Sequence, residues 1–133
     1  MRKIISILLS ILVIIAFSGC NAKPAKDEPV FSIVKITDEN NVVILNEECR
    51  LPSDSTSADA IEVACRAKKI VYQNKNGLYD NFAGIPSEKE KGWLFYFNGK
   101  LAEQGLQQTR LASDRENVVE MRYVNFEEAF KEK

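Results

Sequence analysis

Gly92-Trp93-Leu94-Phe95-Tyr96-Phe97-Asn98-Gly99 is the stretch on which the reading of this chain turns. Five aromatic or aliphatic residues run unbroken between a glycine and an Asn-Gly pair. Aromatic residues suit a pleated, packed surface, and the run has ordinary strand length. Asn98-Gly99 supplies two neighbours that tolerate positive φ, as a tight type I′ turn requires. Alternation places Trp93, Phe95 and Phe97 on one face and Leu94 and Tyr96 on the other. Both faces are apolar, which predicts a central strand covered on each side.

Working outward, Lys100-Leu101-Ala102 can pair back across the turn. Residues 118–124 form a closing strand, with Val119, Met121 and Tyr123 facing one way and Glu120 and Arg122 the other. Residues 31–37 and 42–45 read as a hairpin about the turn Asp38-Glu39-Asn40-Asn41, the second strand running on toward Arg50. That acidic turn lacks the spacing, glycine and closing glutamate of a calcium loop. Thr56 and Asp59 make a capping-box variant, and Ala58, Ile61, Ala64 and Cys65 recur at helical spacing, with Lys68-Lys69 at the C-terminal end. This predicts a three-turn amphipathic helix over one face of the sheet. Ile70-Val71-Tyr72 and residues 78–84 are extended segments around the turn at 74–77, and residues 86–91 are a charged surface loop. Phe126 and Phe130, four apart, predict a terminal helical turn docked on the body. The fold class is α+β, a small mixed sheet with one main helix, over residues 30–130.

The N-terminus has a different character. Arg2-Lys3 precedes an apolar run from Ile4 to Phe17, closed by Ser18-Gly19-Cys20. A basic head, an apolar stretch of about 14 residues and small residues before a cut make a secretory signal over residues 1–19. The run falls short of the ~20 residues a spanning helix needs. A cysteine directly after Ser-Gly resembles the bacterial lipobox, although Phe17 stands where leucine is usual. That resemblance implies cleavage after Gly19 and diacylation of Cys20, which anchors the protein extracytoplasmically on the outer face of the cell membrane. The alternative is an uncleaved or plainly secreted leader. Residues 20–29 are then the lipidated cysteine and a flexible tether with two prolines and no large apolar residue. At ~3.3 Å per residue the tether reaches about 30 Å.

Loss of residues 1–19 removes Arg2 and Lys3 and no acid, leaving 16 basic and 19 acidic side chains. That is no basic footprint for nucleic acid. With Cys20 lipidated, Cys49 and Cys65 remain. An even pair in an exported domain predicts a disulfide, closing a loop worth ~3 kcal/mol on the chain-entropy account. The other reading is two buried free thiols.

The order of hairpin, helix, Gly77-Leu78-Tyr79 segment, Gly92-Trp-Leu-Phe-Tyr-Phe-Asn-Gly99 strand and a closing strand ending at Tyr123 resembles the transcobalamin-like C-terminal domain family. Thr56 to Ile61 matches at the helix start. This is a bacterial domain family of unknown function found on exported proteins, and the likeness covers about residues 30–125. It implies a β-grasp-like fold and a soluble ligand, a corrinoid among the candidates. The chain departs from the family before the last strand, where Ser113-Asp-Arg-Glu-Asn117 replaces a Gly-Asp turn.

The chain has no histidine, which removes His-based triads, His metal sites and the commonest general base. No serine sits in a Gly-x-Ser-x-Gly elbow and no glycine-rich phosphate loop occurs. No catalytic residue, metal site or cofactor is expected, and the protein reads as a non-enzyme. Trp93, Tyr96 and Tyr79 each carry an apolar ring and a polar tip, which suits a ligand surface. With Asn98 beside them they are the candidate ligand-binding residues. The competing reading puts the rings in the core and gives Asn98 to the turn. Two roles follow: a lipid-anchored binder of a small ligand, or an adaptor that docks another envelope protein through a sheet edge.

Overall fold

The computed structural model describes residues 28–131. The expected signal peptide, the candidate lipidation site Cys20 and the expected tether up to residue 27 lie outside the described residues. Strand β1 (Val30–Thr37) and strand β2 (Val43–Leu51) form the expected antiparallel hairpin, pairing Val30 with Leu51, Ser32 with Cys49 and Ile36 with Leu45. The turn between them is built by Asp38, whose Oδ1 accepts from the backbone N–H groups of Asn40 and Val42 at 2.8 and 2.9 Å. Asn41 completes it in the left-handed region at φ 59°, where asparagine is among the better-tolerated residues.

Helix α1 (Ser57–Lys68) starts as its sequence dictates. Thr56 Oγ1 accepts from the Asp59 N–H, and Asp59 Oδ2 accepts from the Thr56 N–H at 2.8 Å. Its buried stripe of Ala58, Ala60, Ile61, Ala64 and Cys65 is small-sided. Two further orphan N–H groups, of Ser57 and Ala58, donate to the carbonyls of Thr109 and Leu106, so the 105–111 loop finishes the cap that side chains begin.

Strands β3 (Tyr72–Lys75), β4 (Leu78–Phe82) and β5 (Ile85–Pro86) form a small antiparallel sheet. Strand β6 (Lys91–Phe97), strand β7 (Lys100–Leu101) and strand β8 (Asn117–Asn125) complete the main sheet, whose order is β2-β1-β8-β6-β7. β8 runs parallel to β1 and antiparallel to β6. The result is a mixed sheet with a single main helix, as expected.

The centre of the sheet is β8, not β6. β6 lies next to the edge, flanked beyond by only the two residues of β7. Nor is it covered on both sides. α1 and the small sheet share one face, where Trp93, Phe82, Val34, Ile36, Val119, Met121 and Tyr123 are buried. Leu94 and Tyr96, on the other face, are only half-buried. Their apolar character does not come from a second layer. The Arg122 guanidinium of the neighbouring strand lies over the Tyr96 ring, 4.1 Å from its centroid, so the cover is a side chain.

Gly92 fits a crossing that tolerates no side chain. A Cβ there would meet Ser87 Oγ at 2.5 Å and the Phe126 ring at 2.9 Å. Phe126 opens helix α2 (Phe126–Lys131), the expected terminal turn. Only half of the expected docking occurs: Phe126 packs by Gly92, whereas Phe130 is exposed. Among the described residues no helix is long and apolar enough to cross a membrane.

Candidate functional site

The four candidate ligand-binding residues are not brought together. Tyr79 is buried, and its hydroxyl donates to Glu62 Oε1 of α1 at 2.7 Å while accepting from Asn74 Nδ2 at 3.2 Å. Burial, and then the hydrogen bond and charge of Glu62, push its phenol well above the ordinary range. Trp93 is buried as well. Its ring meets Phe82 and Tyr123 edge-on, both at 5.1 Å between centroids, and its indole N–H donates to the Ile85 carbonyl at 2.7 Å. Such pairs are worth about 0.5–1.5 kcal/mol each beyond burial. Asn98 and Gly99 adopt φ 50° and 84°, the I′ turn expected. The Asn98 amide also ties this turn to β8: Oδ1 accepts from the Val118 N–H at 2.8 Å.

Tyr96 is different. It lies on the open face of the sheet and lines a groove of about 510 Å³. Strand pairing places Tyr96 beside Glu120 and Leu94 beside Arg122. Glu120 Oε2 and Oε1 accept from Arg122 Nε and Nη2 at 2.7 and 2.9 Å. That bidentate pairing holds the guanidinium plane in place over the Tyr96 ring. Cation–ring stacking and a two-point ion pair thus fix three side chains as one platform.

The groove continues to the end of the sheet, where Glu39 and Asn41 of the hairpin turn meet Lys91, Asn125 and Glu128. Lys91 Nζ donates to Glu39 Oε2 at 2.9 Å. That bond and the Glu39 charge raise the Lys91 pKa, so the ammonium is fully charged at neutral pH. The arrangement offers an aromatic edge, two cations, two carboxylates and two amides along one open cleft. Stacking and charge-assisted hydrogen bonds are what such a surface can do. Among the described residues no group of three Asp, Glu or Cys side chains is placed to hold a metal ion. The sequence reading paired Arg122 with Glu120 on one face but did not mark it as a site residue. Its signal was the i, i+2 spacing of opposite charges on a strand whose partner carries Tyr96. Lys91 and Asn41 gave no such signal, because their nearness depends on the parallel placement of β1 beside β8.

Residues 113–117, where the chain departs from the transcobalamin-like pattern, border a second groove of about 290 Å³ with Phe31, Ile33 and Glu48.

A five-stranded mixed sheet with one helix on one face invites comparison with solved structures. The fold resembles that of haptocorrin. The structure of haptocorrin in complex with Cbi aligns at a TM-score of 0.58 over 82% of this chain, with 12% identity. This chain spans 28% of the length of that one. A suspected metal binding protein from Ruminococcus gnavus gives a looser match, TM-score 0.48 at 8% identity over 74% of this chain and 98% of that one. No protein-family profile and no curated protein sequence matches the chain. The resemblance to the transcobalamin-like domain therefore holds at the level of architecture, where the haptocorrin likeness supports it.

Proposed function

We propose that this protein is a non-catalytic binding module, lipid-anchored on the outer face of the cell membrane, and that its domain holds a soluble small ligand in the groove over Tyr96 and Arg122. The observation that carries the reading is the Tyr96–Arg122–Glu120 platform on an otherwise uncovered sheet face. A volume of about 510 Å³ falls in the range of small-molecule sites, ~300–1,000 Å³. The mostly polar lining suits a ligand with a flat face that can lie against the Arg122 guanidinium and with amide or acid groups at its margin, since Asn41, Asn125 and Lys91 stand along the same groove. A corrinoid is the first class to test, because haptocorrin, which shares the fold, was captured with Cbi. The absence of histidine and of any nucleophile motif supports a role without turnover.

The test is a thermal-shift and calorimetric titration of the detergent-solubilised full chain against corrinoids and a panel of soluble metabolites. A saturable ligand is expected. Arg122→Ala and Tyr96→Ala should each weaken it at least tenfold, whereas Phe31→Ala, in the other groove, should leave it unchanged. A ligand indifferent to both groove substitutions would move the site elsewhere. Turnover of any bound compound would remove the non-catalytic role.

The adaptor reading rests on β2, a nine-residue strand at the edge of the sheet. Such an edge offers backbone groups to a partner strand. It predicts no response to any small molecule and loss of a crosslinked envelope partner when proline replaces Asn46.

A further inference from the structure

We infer that Cys49 and Cys65 are a disulfide site, a staple that fixes helix α1 to the edge strand β2. Pairing with Ser32 puts Cys49 on the helix-facing side of β2. Cys65 lies on the buried stripe of α1, which packs chiefly over β2. Both are buried as free thiols in the structure, at 5% and 0% exposure.

A second contact fixes the alignment of the two elements independently. Lys68 Nζ lies 3.5 Å from Glu47 Oε2. Glu47 precedes Cys49 by two residues on the same strand face, about 6.7 Å at strand rise. Lys68 follows Cys65 by three residues, about 4.5 Å along the helix. The chain passes from Leu51 to Ser57 through five residues, and Lys68 at the far end of the helix reaches back to Glu47, so strand and helix run in opposite senses, and stepping from the ion pair toward Cys49 on one element leads toward Cys65 on the other. The long lysine side chain absorbs the remaining difference.

Joining the two thiols forms one S–S bond and releases two protons and two electrons. The oxidant is the disulfide of a small thiol, of the glutathione class. One cysteine thiolate attacks that disulfide and expels the first small thiolate. The second cysteine then attacks the mixed disulfide and expels the other, so one small disulfide becomes two small thiols. Timing follows from burial. In the folded chain burial pushes the Cys65 thiol up to about 12, and burial with Glu47 and Glu48 raises Cys49. Thiolate is therefore scarce once α1 has closed over β2, and exchange is slow. The bond forms while the helix is still open and is then shielded from reductant. In the cell this needs the oxidising compartment that the export proposed above supplies; the chemistry itself does not depend on ligand binding.

The full chain, carrying Cys20→Ser to remove the third thiol, is unfolded with reductant and refolded in oxidised and reduced glutathione. It is then alkylated and digested with trypsin without reduction. The expected product is peptide 36–50 joined to peptide 51–66, with a melting temperature roughly 10–20 °C above that of the chain refolded in reductant. The same reduced chain, once folded, should react with oxidised glutathione far more slowly than during refolding. A Cys49→Ala, Cys65→Ala variant should melt identically in both buffers. Folded protein that yields the two peptides separately and alkylated would overturn the staple. Equal rates before and after folding would overturn the protected bond.

Discussion

Asn117 lies fully buried at the start of β8, and its side-chain amide holds three segments together. Nδ2 donates to the carbonyls of Phe31 and Ala112, both at 2.8 Å, and Oδ1 accepts from the Ala112 N–H at 2.8 Å. Leucine has a similar volume and none of these partners. Asn117→Leu strands a donor and two acceptors in the interior, each worth about 1–3 kcal/mol less any water that enters. A loss of about 3 kcal/mol is expected in urea unfolding with an unchanged slope; a loss below ~1 kcal/mol would mean that the network contributes little. Tyr79 gives a second residue-scale test. Its phenol is raised in the folded state above the ordinary value of 10.0. The unfolded chain therefore loses that proton first as pH rises. Its contribution is intact below pH ~10 and declines above it, toward the folded pKa. In the Cys49→Ala, Cys65→Ala background, which removes thiol titration, the stability of the domain should fall from pH ~10 upward. Tyr79→Phe should start lower, having lost the Glu62 bond, and decline less steeply.

At the scale of elements, α1 is the part with the clearest local specification. Thr56→Ala removes the acceptor for the Asp59 N–H and leaves Asp59 without a hydroxyl partner. It should cost about 1 kcal/mol, the usual worth of an N-cap. The Thr109 and Leu106 carbonyls still hold two of the helix N–H groups, so a loss above ~2 kcal/mol would show that the loop depends on Thr56 in turn. The contrast between this helix and β6 shows what the sequence could convey. Cap, stripe and Asn-Gly turn are signals spaced within a few residues, and each of α1, the β1–β2 hairpin and the β6–β7 turn was legible from them. The strand order was not. Apolar residues on both faces of β6 read as burial between layers, yet Tyr96 owes its cover to an arginine 26 positions away in the chain. The separation of Tyr79 and Trp93 from Tyr96 was equally invisible, since an amphipathic ring looks the same in sequence whether its polar tip meets Glu62 and the Ile85 carbonyl or a ligand. The architecture as a whole was legible only by resemblance, through the order of the pieces from Thr56 to Tyr123, of which the 92–99 motif is the most specific.

For the whole molecule, the proposed placement at a membrane surface can be tested, because charge and lipid make opposite predictions for it. Removal of residues 1–19 leaves three more acidic than basic side chains, so an anionic membrane repels the domain slightly instead of attracting it. The described helices provide no spanning segment. The proposed anchor would hold it instead through acyl chains on Cys20, at about 0.8 kcal/mol per buried methylene, with more than one chain needed for stable attachment. Salt separates the two causes, because it screens charge over about 10 Å at 0.1 M and leaves the burial of methylenes intact. Wild-type protein should stay in the membrane fraction through a wash in 1 M salt, partition into the detergent phase and incorporate a fatty-acid label. Cys20→Ser should lose the label and should not partition as a lipoprotein. If the Cys20→Ser protein remained with the membrane in low salt and left it in high salt, attachment would be electrostatic, through a partner or a charged patch, and the anchored placement of the groove would fail with it.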